Sequence, residues 1–321
     1  MKDFDRLISR WRQFGGVRLV WEYARMGVLW TGVREIFGCI LHGRSFKTVY
    51  PRVTTLVDKL LINKYETEMK LLRNASDAAR YENNSQLDKV WFCWLQGMDE
   101  APELVRACLE SIKRNVTENV VVVDERNYKE YVALPDYVVE KYRKGRIPGA
   151  LFSDMLRLEL LIKYGGTWID STVLATERGS DAKPSWQEIT DSELFIYRYY
   201  RKGMAVGISN WFIHAKKGNM LLRDLRDMLY AYWRDYDCTV EYYIFHLFFG
   251  VAARRYPEMI AKMPKGNSYH ALLLRDRIDQ PFDKVWWEKL KANVPFHKLN
   301  YRKVPNNASG TFYEYIIKGE D

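Results

Sequence analysis

The sequence predicts an α/β fold: a mainly parallel sheet flanked by helices, preceded by a helical N-terminal extension. Three observations carry that prediction. Runs of β-branched and aromatic residues at 90–95, 120–123 and 167–169 alternate with segments of helical length, the pattern of successive strand–helix units. Strands alternating with helices point to a mainly parallel sheet covered on both faces. Residues 1–80 differ in character: they hold 15 Lys/Arg against 8 Asp/Glu, a net of +7, so the rest of the chain carries only +2 of the overall +9.

In the N-terminal segment Phe4, Leu7, Ile8 and Trp11 recur at helical spacing, as do Val17, Val20, Trp21, Ala24, Val28 and Leu29. Residues 53–72 repeat the pattern, with Leu56, Leu60, Tyr65 and Met69 among the apolar positions. Tryptophan mixed with Arg and Lys suits helices lying on an anionic membrane face. Such helices equally suit packing against the rest of the chain or against a second copy, a homodimer, and both readings stand. A polar run at 83–86 reads as a linker, which divides the chain into 1–86 and 87–321.

Past that linker, residues 90–95 predict a buried strand. Residues 102–113 predict a helix, with Pro102 near its start and Glu103 in its first turn. A strand at 120–123 leads into Asp124, and a helix at 135–144 stops at Gly145. A strongly apolar helix then runs from Gly149 to the Gly165-Gly166 pair, followed by a short strand ending at Asp170. Further strands are predicted at 194–197 and 205–215, and further helices at 219–233 and 240–251.

Composition narrows the function. The chain has 321 residues, 47% hydrophobic and 15% aromatic, which suits a packed globule. No apolar run is long enough to span a membrane, and no secretory signal is evident, so the expected location is cytoplasmic, at most peripheral on the inner face of the cell membrane. Cys39, Cys93, Cys108 and Cys238 are scattered and read as free thiols, and four cysteines and five histidines never cluster at zinc-ligand spacing. The basic surplus is local and no nucleic-acid motif occurs, which argues against a nucleic-acid partner.

The chemistry concentrates in residues 153–173. Asp154 and Arg157 lie one turn apart on one face of an apolar helix, where charges need partners. The strand after the glycine pair delivers Asp170 to the sheet edge at which open α/β folds bind ligands.

The run Ser153-Asp154-x-x-Arg157, an apolar helix, then Gly165-Gly166-x-x-x-Asp170 resembles the signature of the nucleotide-sugar glycosyltransferases. In particular it resembles the capsular polysaccharide synthesis group among the sugar transferases with a short DxD motif, similar to glycosyltransferase family 32. The likeness is sharp over 90–176 and looser over 210–256 and 297–302, and residues before about 87 lie outside it. It implies a GT-A-type, Rossmann-like sheet and sugar transfer from a nucleotide-sugar donor, UDP-linked, to a saccharide or lipid-linked saccharide acceptor. Relatives with this motif mostly retain the anomeric configuration.

Such transfer requires that charge growing on the diphosphate leaving group be neutralised, usually by Mn²⁺ or Mg²⁺ with basic donors. By resemblance, Asp154 and Arg157 hold donor sugar and phosphate, and Asp170 contacts the donor ribose, the metal or both. Ser153, Gly165, Gly166 and Ser171 join the donor site as parts of the motif. One departure stands out: Thr172 occupies the place of the second carboxylate. A metal held more weakly by Asp170 and Thr172, a ligand from elsewhere and a silent site are the three readings. A silent site would make the chain a nucleotide-sugar-binding subunit of a synthesis complex. Of the first-strand aromatics Trp91, Phe92 and Trp94, Trp91 is the candidate to stack on the nucleobase by resemblance, and core packing is the expected role of at least two of the three. Asn210, after Gly207-Ile208-Ser209, is placed to position the donor sugar, whereas His214 reads as structural. His297 and Lys298, with Arg302, are expected either to close over the diphosphate from a mobile C-terminal segment or to form a solvated basic tail.

Overall fold

The computed structural model describes residues 14–42, 49–72, 89–116, 119–176, 184–199 and 207–319. The helical expectation for Phe4, Leu7, Ile8 and Trp11, and the linker at 83–86, fall outside the described residues. In chain order the elements begin with helices α1 (Val17–Arg25), α2 (Leu29–Leu41) and α3 (Val49–Leu72). Then come β1 (Lys89–Cys93), α4 (Glu103–Asn115), β2 (Asn119–Val123), α5 (Tyr128–Tyr131) and α6 (Asp136–Arg143). The signature region supplies α7 (Gly149–Tyr164), β3 (Gly166–Asp170) and β4 (Val173–Ala175). After it follow α8 (Trp186–Asp191), β5 (Leu194–Tyr199), β6 (Gly207–Ala215), α9 (Met220–Asp235) and α10 (Ile244–Ala253). The chain closes with α11 (Pro257–Lys262), α12 (Ser268–Arg277), α13 (Lys284–Asn293), β7 (Phe296–Lys298) and α14 (Phe312–Ile317).

The chain divides into two compact units. One draws on residues 1–80, 134–155 and 224–255, the other on 81–133, 156–223 and 256–321. The expected division at 86/87 does not coincide with these units, because the N-terminal helices share the first with two later segments. In that unit α3 buries one stripe, Val53, Val57, Leu61, Tyr65 and Met69, repeating every fourth residue. Leu60, an apolar position in the sequence pattern, is exposed beside it. Tyr65 packs edge-on against Phe248 at 5.1 Å and donates its hydroxyl to Asp235 Oδ2 at 3.1 Å. Arg234 with Glu68 and Arg254 with Glu66 add ion pairs between α3 and the later helices.

The second unit is built on a five-stranded sheet in the order β2-β1-β3-β6-β5. β1 is parallel to both β2 and β3, with Cys93 opposite Val123 on one side and Asp170 on the other. β6 runs antiparallel to β3 and to β5. The sheet is therefore mixed, which corrects the expectation of a mainly parallel one. A parallel return needs a crossover of a dozen residues or more. Only residues 200–206 separate β5 from β6, so these two strands pair antiparallel. A second sheet of two antiparallel strands, β4 and β7, sets Val173 opposite Lys298 and Leu174 opposite His297. It is capped by α4: Ser111 Oγ accepts the Ala175 N–H at 3.0 Å, and Asn115 donates to the Ala175 carbonyl at 3.1 Å. The core of this unit gathers Phe92, Ile169, Phe195, Phe212, Trp287 and Phe296.

Candidate active site

Helix α7 is apolar on nearly every side: Leu151, Phe152, Met155, Leu156, Leu158, Leu160, Leu161 and Ile162 are all buried. Asp154 and Arg157 are buried on it too. The helix ends at Gly165, whose φ of 73° is the left-handed stop, with its N–H on the Leu161 carbonyl at 2.8 Å. Gly166, at φ 93°, starts β3 so close to β1 that a Cβ would lie 2.2 Å from the Lys89 carbonyl oxygen. β3 then carries Trp168 and Asp170 to its far end on one face, as the two-residue period dictates.

Three groups meet at Asp170. Arg157 Nη2 donates to Asp170 Oδ1 at 3.0 Å, and Trp168 Nε1 donates to the same oxygen at 2.9 Å. The guanidinium lies over the Trp168 ring at 4.7 Å, so stacking and hydrogen bonding hold it together. On the other side Lys298 Nζ stands 3.9 Å from Asp170 Oδ2. Lys298 also donates to Thr172 Oγ1 and, at 3.2 Å, to the Leu299 carbonyl. The strand pairing seats it there: the Leu299 N–H reaches the Thr172 carbonyl at 2.7 Å. The Arg157 side chain is 4% exposed, whereas Asp170 and Lys298 keep 26% and 22%. The cluster is thus anchored inside and open at one edge, with two cations around one carboxylate. Burial pushes the Lys298 ammonium below its ordinary pKa, against the pull of Asp170.

Neighbouring strand ends complete this edge. Trp94 follows β1 and packs edge-on against Tyr301 at 5.2 Å, with its indole N–H unbonded among the described residues. Asp124 follows β2 and accepts from Arg126 Nε at 3.0 Å and Nη2 at 2.8 Å. Burial works to raise its pKa, but these bonds and the backbone N–H groups of Arg126 and Asn127 hold it below the usual carboxylate range. Asn210 lies inside β6 and not in a turn. It falls in the irregular stretch where β5 pairing jumps from Ile213 to Ser209, at the same edge as Asp170 because β6 is antiparallel. Ser171 is half-buried in the turn between β3 and β4, and Ser153 is half-buried on α7.

Several expected donor contacts stand elsewhere. Trp91 is wholly buried, donates Nε1 to the Gly165 carbonyl at 3.0 Å and packs on Tyr131 and Tyr164. Its place is the core, and the strand-end aromatic is Trp94. Gly165 and Gly166 stand at the opposite end of β3 from Asp170, where they make a tight turn and a close backbone approach. His297 and Lys298 are not a solvated tail: they form β7, and its alternation separates them. His297 is fully buried, with Nε2 3.3 Å from Thr176 Oγ1, and its pKa is pushed down to about 3 by burial and then by Lys291. His214 is likewise buried, 2.9 Å from Thr167 Oγ1, with its pKa pushed down to about 3, as suits a structural residue.

One participant was missed in the sequence, Trp168, though it was legible from its position two residues before Asp170 on one strand face. Lys298 was expected over the diphosphate, but nothing local signalled that it would sit against Thr172, 126 positions away. Among the described residues no group of three or more His, Cys, Asp or Glu side chains is arranged to hold a metal. A cleft of about 470 Å³ lies in the first unit, away from these residues. Most of its charges are paired, Arg25 with Glu22, Arg234 with Asp235, and Asp237 with Lys141 and Arg146.

Comparison with known proteins adds the following. The family model described as "Capsular polysaccharide synthesis protein" matches residues 44–316, beginning well before the expected limit near residue 87. No curated protein matches the chain. Among solved structures the chain is similar to one described as "PaToxG Glycosyltransferase", at 14% identity, covering 73% of this chain and 93% of that one, with a TM-score of 0.37. A likeness at that score carries no argument about fold or function.

Proposed function

The chain belongs to the capsular polysaccharide synthesis protein family, and on that premise we propose that it transfers a sugar from a nucleotide-sugar donor to a saccharide or lipid-linked saccharide acceptor. The supporting observation is the Arg157–Asp170–Lys298 cluster, a partly open site at the end of the parallel strands in which two cations flank one carboxylate. Asp170 Oδ2 is free of hydrogen bonds among the described residues and accepts from donor hydroxyls. Arg157, through Oδ1 and the Trp168 ring, is a positioning residue that fixes the carboxylate's plane. Lys298 faces the diphosphate. In the transfer the bond from the anomeric carbon to the diphosphate oxygen breaks, and its electron pair leaves with the nucleoside diphosphate. The acceptor oxygen forms the new bond, and its proton passes to the departing phosphate oxygen.

The test is turnover of a panel of nucleotide sugars, read by release of nucleoside diphosphate and a saccharide product. Asp170→Asn is expected to lower it by about a hundredfold or more. Undiminished turnover in that variant would remove the reading. Thr172 in place of a second carboxylate favours one alternative, a catalytically silent nucleotide-sugar-binding subunit. Donor binding without turnover of any panel member is its signature.

A lipid-linked acceptor implies a membrane surface, and α1 and α2 supply a matching one. Trp30, Val33, Phe37, Ile40 and Leu41 share one face of α2 and are exposed, Trp30 to 78% and Phe37 to 59%, with Trp21 exposed on α1. Arg18 and Arg34 are exposed on the same helices. We read this face as docking on an anionic bilayer from the cytoplasmic side. Among the described residues no helix is long and apolar enough to cross a membrane.

A further inference from the structure

We propose that the Lys298 ammonium is the resident cation of this site, and that the chain binds nucleoside diphosphates through it without a divalent metal. The inference rests on the transfer reading above and narrows it.

The residues of the 170–172 turn do not fit a divalent ion. Such an ion wants several oxygen ligands, six for Mg²⁺, and although water and substrate phosphates supply most of them, the protein must still give it a free carboxylate oxygen. The turn offers one carboxylate, whose Oδ1 already accepts from Arg157 and Trp168, the half-buried Ser171 hydroxyl, and the Thr172 hydroxyl. That hydroxyl accepts from Lys298, whose Nζ is 3.9 Å from the remaining oxygen, Asp170 Oδ2. An ion reaching both Asp170 Oδ2 and Thr172 Oγ1 would share its position with an ammonium.

The ammonium is built in. β7 pairs with β4 so that Lys298 faces Val173, and the Leu299 N–H closes on the Thr172 carbonyl. An ammonium has three N–H donors. Two are used, on Thr172 and the Leu299 carbonyl, and the third makes no hydrogen bond among the described residues. Lys298 flanks Asp170 from the side opposite Arg157 and keeps that third donor for an anionic ligand. Thr172 fits the same logic. A carboxylate there would pair with Lys298 and cancel the charge the diphosphate needs, whereas a hydroxyl seats the ammonium and leaves its charge intact.

The experiment is calorimetric titration of the full chain with UDP, GDP and inorganic pyrophosphate in EDTA and again with millimolar MnCl₂. At least one probe is expected to bind in EDTA, with an affinity that Mn²⁺ leaves unchanged. Lys298→Gln is expected to weaken that binding about tenfold or more, while Lys298→Arg keeps most of it. Thr172→Asp gives a second readout if Lys298→Gln does not fold. It should weaken binding in EDTA and make it respond to Mn²⁺, with bound Mn²⁺ visible by electron paramagnetic resonance in that variant and not in the wild type. Binding that requires Mn²⁺, wild-type affinity in Lys298→Gln, or no binding of any probe under either condition would overturn the proposal. Metal-free binding without sugar turnover would instead defeat the transfer reading and leave this one standing.

Discussion

At the scale of residues, Asp170 is a carboxylate with its two oxygens assigned different work. Oδ1 is fixed from inside by Arg157 and Trp168, and Oδ2 faces the open edge. Arg157→Lys keeps the charge but loses the planar fork and the ring stacking. It is expected to lower kcat about tenfold with little change in melting temperature, measured by steady-state kinetics and calorimetry. Lys298 sets an alkaline limit. Burial lowers its pKa from the ordinary 10.5, opposed by Asp170 and Cys108 and reinforced by Arg157 and Arg275. Diphosphate affinity should therefore fall as the pH rises, with a midpoint below 10.5, and Lys298→Arg should remove that limb. The buried histidines act on stability. His214 and His297 fall from 6.5 to about 3 on folding. Between those values the unfolded chain binds more protons than the folded one, so stability rises with pH across the window and is lost on acidification. Urea midpoints from pH 7 to pH 4 should fall, and His297→Gln should flatten the slope by about 1.4 kcal/mol per pH unit.

At the scale of elements, the site depends on two joints. The α7–β3 joint needs glycine twice, and Gly166→Ala combines a φ of 93° with a Cβ 2.2 Å from the Lys89 carbonyl oxygen. It is expected to destabilise by about 3 kcal/mol or more, read from chemical denaturation. The β4–β7 pairing is the joint that delivers Lys298. Ser111→Ala removes the acceptor of the Ala175 N–H and should cost about 1–2 kcal/mol. Diphosphate affinity should fall in the same variant, because the strand that Lys298 faces loses its anchor. The strands and helices themselves were largely legible. Buried apolar runs marked β1, β2 and β3, and the glycine pair marked the end of α7. The direction of β6 was misread because the alternation of strands and helices was carried past α7. There the short α8 is the one helix described between β4 and β5, and none is described between β5 and β6.

At the scale of the whole chain, the N-terminal segment is more than an appendage. α3 buries Tyr65 against Phe248 of α10 and Tyr232 of α9, so the packing reading holds for that part of the helix. Among the described residues the apolar face of α2 has no such cover. The full-length protein is expected to float with vesicles containing phosphatidylglycerol and to float less at high salt. Trp30→Ser with Phe37→Ser should abolish flotation without lowering the melting temperature. A stable dimer in solution that does not float would assign the face to a second copy instead.

Periodicity, glycines and the 153–173 run determined, from the sequence alone, the α/β class, the buried α7 helix and the placement of Asp170 at a strand end. These are local properties, set by spacing within a dozen or two residues. Tertiary structure decided the mixed sheet, the burial of Trp91 and His297, and the contact of Lys298 with Thr172. Those depend on which strands pair and in what register, and a backbone hydrogen bond between residues more than a hundred positions apart leaves no mark on either local pattern.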